Sequence, residues 1–316
     1  MLELERISKA YRIGTFGGRQ LLAVSDVSFD VADREVVSLI GESGSGKSTI
    51  GKMILQLIST NSGEIRFNGT AISNFKRASL KEYYRNVQGV FQDPFSSYNP
   101  IFKADRVFRI IRQMFFPRIG SKEWKDKVHR SLGAVGLNPE QVLDKFPHQL
   151  SGGQLQRFLI ARALLLDIQF LVADEIISML DASTRIDVLN LLAGLKSSGL
   201  SILFITHDLS LGYYISERAV ILYRGCVVEM GQTDKIYDNP IHPYTRMLME
   251  AVPRLDRRWE EVKADLKAKQ TNLSAGCVYY ERCPMVDKTD DCRMMRPVLH
   301  EAEKEHFVAC WRNEPS

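Results

Sequence analysis

The chain has 316 residues, 45% of them apolar and 25% charged, which excludes wholesale disorder, a fibrous architecture and a small disulfide-stapled scaffold. At about 100 to 200 residues per domain, this length predicts two domains and a sizeable buried core. Lysine and arginine total 42 against 38 aspartate and glutamate, and the net charge of +4 is too small to point to a nucleic-acid groove or a polybasic membrane anchor. No run reaches the roughly 18 apolar residues of a membrane span, since the stretch from Leu164 to Ala173 is interrupted by Asp167. The first residues, MLELERISK, carry Glu3 and Glu5 and lack the apolar core of a secretory signal, so the expectation is a cytosolic chain that takes no nucleic acid as partner.

In chain order, LELERI and VSFDV have the short, partly alternating pattern of strands, and EVVSLIG reads as a buried strand running into a glycine-rich turn. GEIRFNGT ends in an Asn68-Gly69 turn signal and NVQGVF reads as another strand. From about Pro94 to Leu150, helical apolar spacing in IFKADRVFRIIRQMF and SKEWKDKVHRSLGAVGL, broken by Pro117 and Pro139, predicts an α-helical insertion in an α/β domain. There follow a helix from Gln154 to Leu165, a buried strand QFLVAD, a helix ASTRIDVLNLLAGL, a strand SILFIT and a hairpin-like pair AVILYRGCVVEM. This alternation predicts a mainly parallel sheet covered on both faces. The stretch YDNPIHPYTRM marks a boundary, RLDRRWEEVKADLKAK reads as a solvated linker helix, and a cysteine-bearing tail closes the chain. The expected division is residues 1–235, with the insertion at about 94–150, and residues 236–316.

The strongest chemical signal is Gly41-Glu42-Ser43-Gly44-Ser45-Gly46-Lys47-Ser48-Thr49, a G-x-x-x-x-G-K-[ST] pattern between a strand and the helix TIGKMILQLI. Its glycines let backbone N–H groups turn toward a phosphate, and the helix N-terminus adds partial positive charge. Lys47 suits the β and γ oxygens of a nucleoside triphosphate, and the Ser48 hydroxyl suits Mg²⁺. QFLVADE supplies the carboxylates such a site needs: Asp174 for the metal shell, and Glu175 for the water that attacks the γ-phosphate. Two acids capping the next helix is the competing reading of that pair.

Between these motifs lies Leu150-Ser151-Gly152-Gly153-Gln154, and here the sequence resembles the ABC-type ATPases, whose signature is LSGGQ. Gln92 in VFQDP resembles the family's Q-loop, Met179-Leu180-Asp181 its D-loop, and His207 in FITHD its switch histidine. Tyr11 in SKAYRIG falls where the family has an aromatic that stacks on adenine, although a surface aromatic is its ordinary alternative. The resemblance covers residues 1 to about 235 and implies an ABC-type P-loop ATPase core that binds ATP and Mg²⁺. Catalysis would then fall to Glu175, His207 and Gln92, with Gln92 also near the metal. It further implies that two such domains face head to tail, so that Ser151 and Gly153 contact the γ-phosphate held by the partner's P-loop and Asp181 lies at the shared site. One departure is visible: family members usually carry Glu-Pro-Thr-Ser after the metal aspartate, and this chain has Glu175-Ile176-Ile177-Ser178. Without the proline, φ after the base is no longer fixed near −65°. Hydrolysis is still expected, since both carboxylates remain.

Four of the five cysteines, Cys277, Cys283, Cys292 and Cys310, fall in the last 40 residues. In a cytosolic chain this clustering suits a metal centre better than disulfides. The segment Asn239-Pro240-Ile241-His242-Pro243-Tyr244-Thr245-Arg246, Arg282-Cys283-Pro284, Arg296-Pro297-Val298-Leu299 and His306-Phe307-Val308-Ala309-Cys310-Trp311 resemble the extension of the oligopeptide/dipeptide importer ATPases. Similar tails carry a 4Fe–4S cluster, so the resemblance implies iron–sulfur ligation by the four thiols. Zn²⁺ on the same thiolates and unbound buried thiols are the alternatives, although the C-x₂₋₄-C pairs usual for zinc are missing. Cys226 stands apart as a core residue in a strand. His300 and His306 are possible ligands beside a set that four thiolates already complete.

The resemblance implies an ATP-binding subunit of an importer for di- or oligopeptides at the cytoplasmic face of the membrane. Its partners would be a second, related ATPase chain, two transmembrane permease subunits and an extracytoplasmic solute-binding protein. The alternatives are the same motor serving nickel or an oligosaccharide, a non-transport ABC ATPase working on DNA or ribosomes, and a nucleotide-binding regulator that does not turn over, which Glu175 disfavours.

Overall fold

The computed structural model of the protein describes residues 1–14, 18–250 and 275–313, which form two compact units. Unit 1 comprises residues 1–31, 36–73 and 204–316, and unit 2 comprises residues 32–35 and 74–203. The region read as a linker helix, 254–269, lies outside the described residues.

Unit 1 opens with a four-stranded antiparallel sheet. The strand Leu2–Ile13 lies between Arg19–Val31 and Ser62–Phe67, with the short Thr70–Ala71 at the edge. Leu2 is opposite Val31 on one side and Phe67 on the other, and Leu2, Leu4 and Ile7 are buried. The register shifts after Leu4, where Arg6 has φ +48° and its Nε lies 3.0 Å from Asp26 Oδ1. These strands therefore form a sheet of their own, separate from the parallel pairs the βα alternation predicts, and the first strand runs well beyond LELERI. Period-2 alternation with one solvated face is the mark of antiparallel pairing.

The second sheet of unit 1 holds the strand Val36–Ile40, all five residues of it buried, which is what a parallel strand covered on both faces requires. It pairs in parallel with Arg218–Tyr223, Val37 opposite Arg218 and Ile40 opposite Ile221. Arg218–Tyr223 forms a hairpin with Cys226–Gln232, as its sequence suggests. Beyond that hairpin the sheet is extended by two strands from the C-terminal tail, His306–Val308 and then His300–Glu303. The tail is therefore part of the core: Tyr279 shares one hydrophobic cluster with Ile40, Ile221, Tyr223 and Tyr244.

Unit 2 contains the parallel pair Val87–Val90 and Phe170–Asp174, with Val87 opposite Phe170 and Val90 opposite Ala173. The segment predicted as a helical insertion consists of Arg106–Phe115, Ser121–Ala134 and the short Pro139–Val142. Arg106–Phe115 is amphipathic: Phe108 and Ile111 are buried, and the Phe108 ring stacks on Phe158 of the helix Gly152–Leu164 at 4.6 Å between centroids. The same helix leaves Ile110 and Met114 exposed. A helix at Arg77–Asn86 has no counterpart among the sequence-based elements, because it is mostly polar and Tyr83 is its only buried residue.

Candidate functional site

In unit 1 the buried strand Val36–Ile40 stops at Gly41, and the chain turns through Gly46 into the helix Lys47–Ile54. Gly44 and Gly46 have φ +79° and +107°, conformations open to glycine, and a Cβ on Gly46 would lie 2.4 Å from the carbonyl oxygen of Ala23. The loop is closed by its own groups. The Glu42 carbonyl accepts from the Ser45 N–H at 3.1 Å and from Lys47 Nζ at 2.9 Å, and the Gly41 carbonyl accepts from Lys47 Nζ at 2.7 Å. Lys47 is only 4% exposed, so its ammonium is held by carbonyl dipoles that phosphate oxygens can replace. Ser45 is also buried, and its Oγ finds no hydrogen-bond partner among the described residues. An orphaned hydroxyl, left-handed glycines and a buried ammonium at a helix N-terminus together suit a phosphate. Ser43 is exposed, and Ser48 and Thr49 lie in the first turn of the helix.

Two further sequence-derived residues belong to unit 1. Tyr11, 37% exposed, sits on the first strand opposite Leu21. His207 follows the strand Ser201–Thr206 and is exposed, while the next residue, Asp208, caps the helix Leu209–Ile215 by accepting from the Ser210 N–H at 2.8 Å.

In unit 2, Asp174 ends the buried strand Phe170–Asp174 and is 6% exposed. Glu175 has φ +50°, a strained value for a residue with a side chain. Its carbonyl accepts from Ser178 Oγ at 2.9 Å and from the Ser178 N–H at 3.2 Å, and Ile176 and Ile177 are 1% and 2% exposed. The backbone after Glu175 is thus held by two buried isoleucines and a serine turn. Gln92 is exposed, two residues beyond the strand Val87–Val90. Ser151 begins the helix Gly152–Leu164 with a reciprocal cap: Ser151 Oγ accepts from the Gln154 N–H at 3.2 Å, and Gln154 Oε1 accepts from the Ser151 N–H at 2.9 Å. Further along that helix, Arg162 donates to the Gly89 carbonyl at 2.8 Å, which ties the signature helix to the strand that leads to Gln92. Gly153 lies in the first turn of the same helix. Asp181 caps the helix Ala182–Ser197, and hydrogen bonds from the Ser183 hydroxyl, then from the Thr184 N–H and hydroxyl, hold its carboxyl well below the usual carboxylate range.

Back in unit 1, Cys277, Cys283, Cys292 and Cys310 line one recess, together with Tyr279 and Trp311. All four thiols are free. A Cβ on Gly276 would lie 2.3 Å from the Arg293 carbonyl oxygen, so glycine is what allows the two cysteine-bearing segments to approach. There the Cys277 N–H donates to the Cys292 carbonyl at 2.9 Å. Burial pushes the Cys277 thiol up to about 11, and the neighbouring thiols of Cys310, Cys283 and Cys292 add to the rise. Burial likewise raises Cys310. Among the described residues, no three His, Cys, Asp or Glu side chains form a group that could hold one metal ion. Cys226 is buried in the hairpin.

Two contacts of the phosphate loop were invisible in the sequence: Glu42 is bonded to Tyr244 and to Arg282, partners 202 and 240 residues away. Both stand in the segments that resemble the importer extension, the one signal that could have drawn attention to them.

Comparison with known proteins gives the same picture. Residues 24–178 match the ABC transporter family, and residues 228–292 match the oligopeptide/dipeptide transporter C-terminal region. The oligopeptide transport ATP-binding protein AppF of Bacillus subtilis is 39% identical over 324 aligned positions, covering 98% of this chain and 96% of that one. OppF of Haemophilus influenzae is 36% identical over 323, with the same two coverages. Among solved structures, the ATP-binding cassette MJ0796 bound to ADP and Pi, in a dimeric post-hydrolysis state, superposes with a TM-score of 0.66 and 28% identity over 74% of this chain and 99% of that one. CbiO1 of Clostridium perfringens, at 23% identity and TM-score 0.65 over 75% of this chain and 90% of that one, shares the fold. The chain is an ATP hydrolase with the α/β fold of the ABC cassettes, and it belongs to the oligopeptide/dipeptide family of ABC transporter ATP-binding proteins.

Proposed function

We propose that the chain energises import of di- or oligopeptides as one of two ATPase subunits attached to a pair of permeases. What carries this reading is the joining, in one compact unit, of a phosphate-binding loop and an extension that matches the peptide-transporter C-terminal region. The relatives are oligopeptide transport proteins by name along nearly the whole chain.

In this reading Gly41 to Thr49 cradle the ATP phosphates, and Lys47 exchanges the carbonyls of Gly41 and Glu42 for the β and γ oxygens. Tyr11 stacks on adenine. Ser48, Asp174 and Gln92 would hold Mg²⁺, which neutralises phosphate charge when bound. Glu175 accepts the proton of the attacking water, and His207 contacts the γ-phosphate. Ser151, Gly153 and Asp181 serve the nucleotide held by the second ATPase chain, a related but different subunit. The exposed Ile110 and Met114 of the insertion are apolar anchors suited to a permease contact, and Gln92 at its start links that contact to the nucleotide. No helix among the described residues is long and apolar enough to cross a membrane, and the proposed place of work is the cytoplasmic face, held there by the permeases, with an extracytoplasmic binding protein delivering the solute.

The cysteine recess is read as the site of a 4Fe–4S cluster. Four free thiols line that recess, and zinc on the same thiolates is the second choice. The proposed division of labour is residues 1–235 for the nucleotide and 236–316 for the cysteine-bearing extension.

Reconstitution with the permeases and binding protein in lipid vesicles tests the import reading. Peptide added on the binding-protein side should raise ATP hydrolysis and accumulate inside. Stimulation by nickel or an oligosaccharide in place of peptides would reassign the solute.

A further inference from the structure

The structure assigns Tyr244 and Arg282, both outside the nucleotide motifs, as positioning residues of the phosphate-binding loop, acting through Glu42. Tyr244 Oη accepts from the Glu42 N–H at 2.9 Å. Arg282 grips the Glu42 carboxylate with two parallel bonds, Nη1 to Oε2 at 2.8 Å and Nη2 to Oε1 at 3.1 Å. The remaining polar group of Glu42, its carbonyl, holds Lys47 Nζ and the Ser45 N–H. The residue that holds the phosphate-binding lysine is thus itself held on both free sides by later parts of the chain.

The holders are rigid. Tyr244 is fully buried, with ring centroids 4.6 Å from Tyr223 and 5.5 Å from Tyr279. The Arg282 guanidinium lies 5.8 Å from the Tyr223 ring and 5.9 Å from the Tyr279 ring. Tyr223 ends the strand beside Val36–Ile40, so the aromatic box is built on the same sheet that presents the loop. When Lys47 leaves the Glu42 carbonyl for a phosphate, Glu42 stays in place and the cradle needs no ordering. A loop prepared in this way binds more tightly for the same contacts.

This inference rests on the reading of Gly41 to Thr49 as the ATP phosphate site, and the test separates the two. MgATP affinity is measured on the full-length chain for Lys47→Ala, Tyr244→Phe, Arg282→Ala, Glu42→Ala and the double variant Glu42→Ala/Arg282→Ala, each checked for folding by thermal melting. Tyr244→Phe removes one oxygen and keeps the buried ring. It and Arg282→Ala should each weaken MgATP binding by about three- to tenfold, and the double variant should be no weaker than Glu42→Ala alone. Arg282→Lys, which keeps the charge, should recover part of the loss. In the assembled transporter, KM for ATP should rise while kcat stays within about twofold.

If Lys47→Ala binds MgATP normally, the phosphate-site reading fails. If Lys47→Ala loses binding while Tyr244→Phe and Arg282→Ala bind like wild type, the positioning role is overturned. An Arg282→Ala loss that keeps its full size on the Glu42→Ala background equally overturns it, because Arg282 would then act by another route.

Discussion

Glu229 and His306 meet with no exposure to solvent, the Glu229 Oε1 2.7 Å from His306 Nε2, and this contact fastens the C-terminal strand His306–Val308 to the hairpin strand Cys226–Gln232. The same carboxylate accepts the N–H groups of Ile241 and His242 at 2.8 and 2.9 Å, so one buried acid organises three segments. A buried carboxylate is tolerable only with such company. Glu229→Ala should cost about 3 to 5 kcal/mol of stability, since it strands several buried donors at once. Denaturant unfolding measures the loss, and hydrogen exchange should show residues 300–308 losing protection first. A loss below about 1 kcal/mol would mean these donors find other partners.

His242 gives the fold a pH dependence. It is 1% exposed, its Nδ1 accepts from the Tyr244 N–H at 3.1 Å, and burial lowers its pKa from 6.5 to about 4. Between those values the unfolded chain takes up a proton that the folded chain refuses, so the contribution to stability is level above pH 6.5 and declines as pH falls toward 4. The total decline is about 3 kcal/mol. On going from pH 7.5 to 4.5, wild type should therefore lose about 2 to 3 kcal/mol more than His242→Gln. Equal losses in the two proteins would show that His242 does not refuse the proton.

The proposed cluster in the four-cysteine recess is tested by colour and metal content. Protein purified without oxygen should be brown and carry about four iron atoms per chain. Changing any one of Cys277, Cys283, Cys292 or Cys310 to serine should bleach it and loosen residues 275–313, while the phosphate loop stays folded. Metal ligation can supply on the order of 10 kcal/mol to a segment with a small core, which is why the damage should be local and large. A colourless preparation with stoichiometric zinc would select the second metal, and one with neither would leave four reduced thiols.

The insertion should couple nucleotide to permease through its exposed face. Met114→Asp, at an exposed position of the helix that buries Phe108 and Ile111, should leave ATP binding and stability within about 0.5 kcal/mol of wild type. It should nevertheless reduce peptide-stimulated hydrolysis in vesicles. Crosslinks from the permease that reach residues 236–316 and never residues 94–150 would contradict this route.

What the sequence revealed and what it hid divide along chain distance. Gly41 to Thr49, Asp174, Glu175 and Ser151 to Gln154 were legible because each motif needs only neighbouring residues: a strand end, a turn and a helix start. The clustering of four cysteines was equally visible, as was the helical insertion with its strong period. The polar helix Arg77–Asn86 was hidden because it buries little beyond Tyr83. The tail strand His306–Val308, on which His300–Glu303 pairs, was hidden because its partner in the sheet is some 77 residues earlier, and so were the bonds from Tyr244 and Arg282 to Glu42. The departure at Ile176 was seen as a missing constraint. The structure supplies another in its place: burial of Ile176 and Ile177 and a turn at Ser178, with Glu175 kept at a left-handed φ.

We propose that this chain hydrolyses ATP to drive peptide import, with Glu175 as the base. The most direct measurement is ATP hydrolysis by the transporter reconstituted in vesicles, with and without peptide-loaded binding protein, for wild type and Glu175→Gln. The amide keeps the shape of the side chain but cannot take the proton, so hydrolysis should fall by roughly 10²-fold or more while MgATP binding is retained. Peptide should stimulate the wild type alone. Near-wild-type turnover by Glu175→Gln would remove Glu175 from its role, and a wild-type rate indifferent to peptide would contradict the account as a whole.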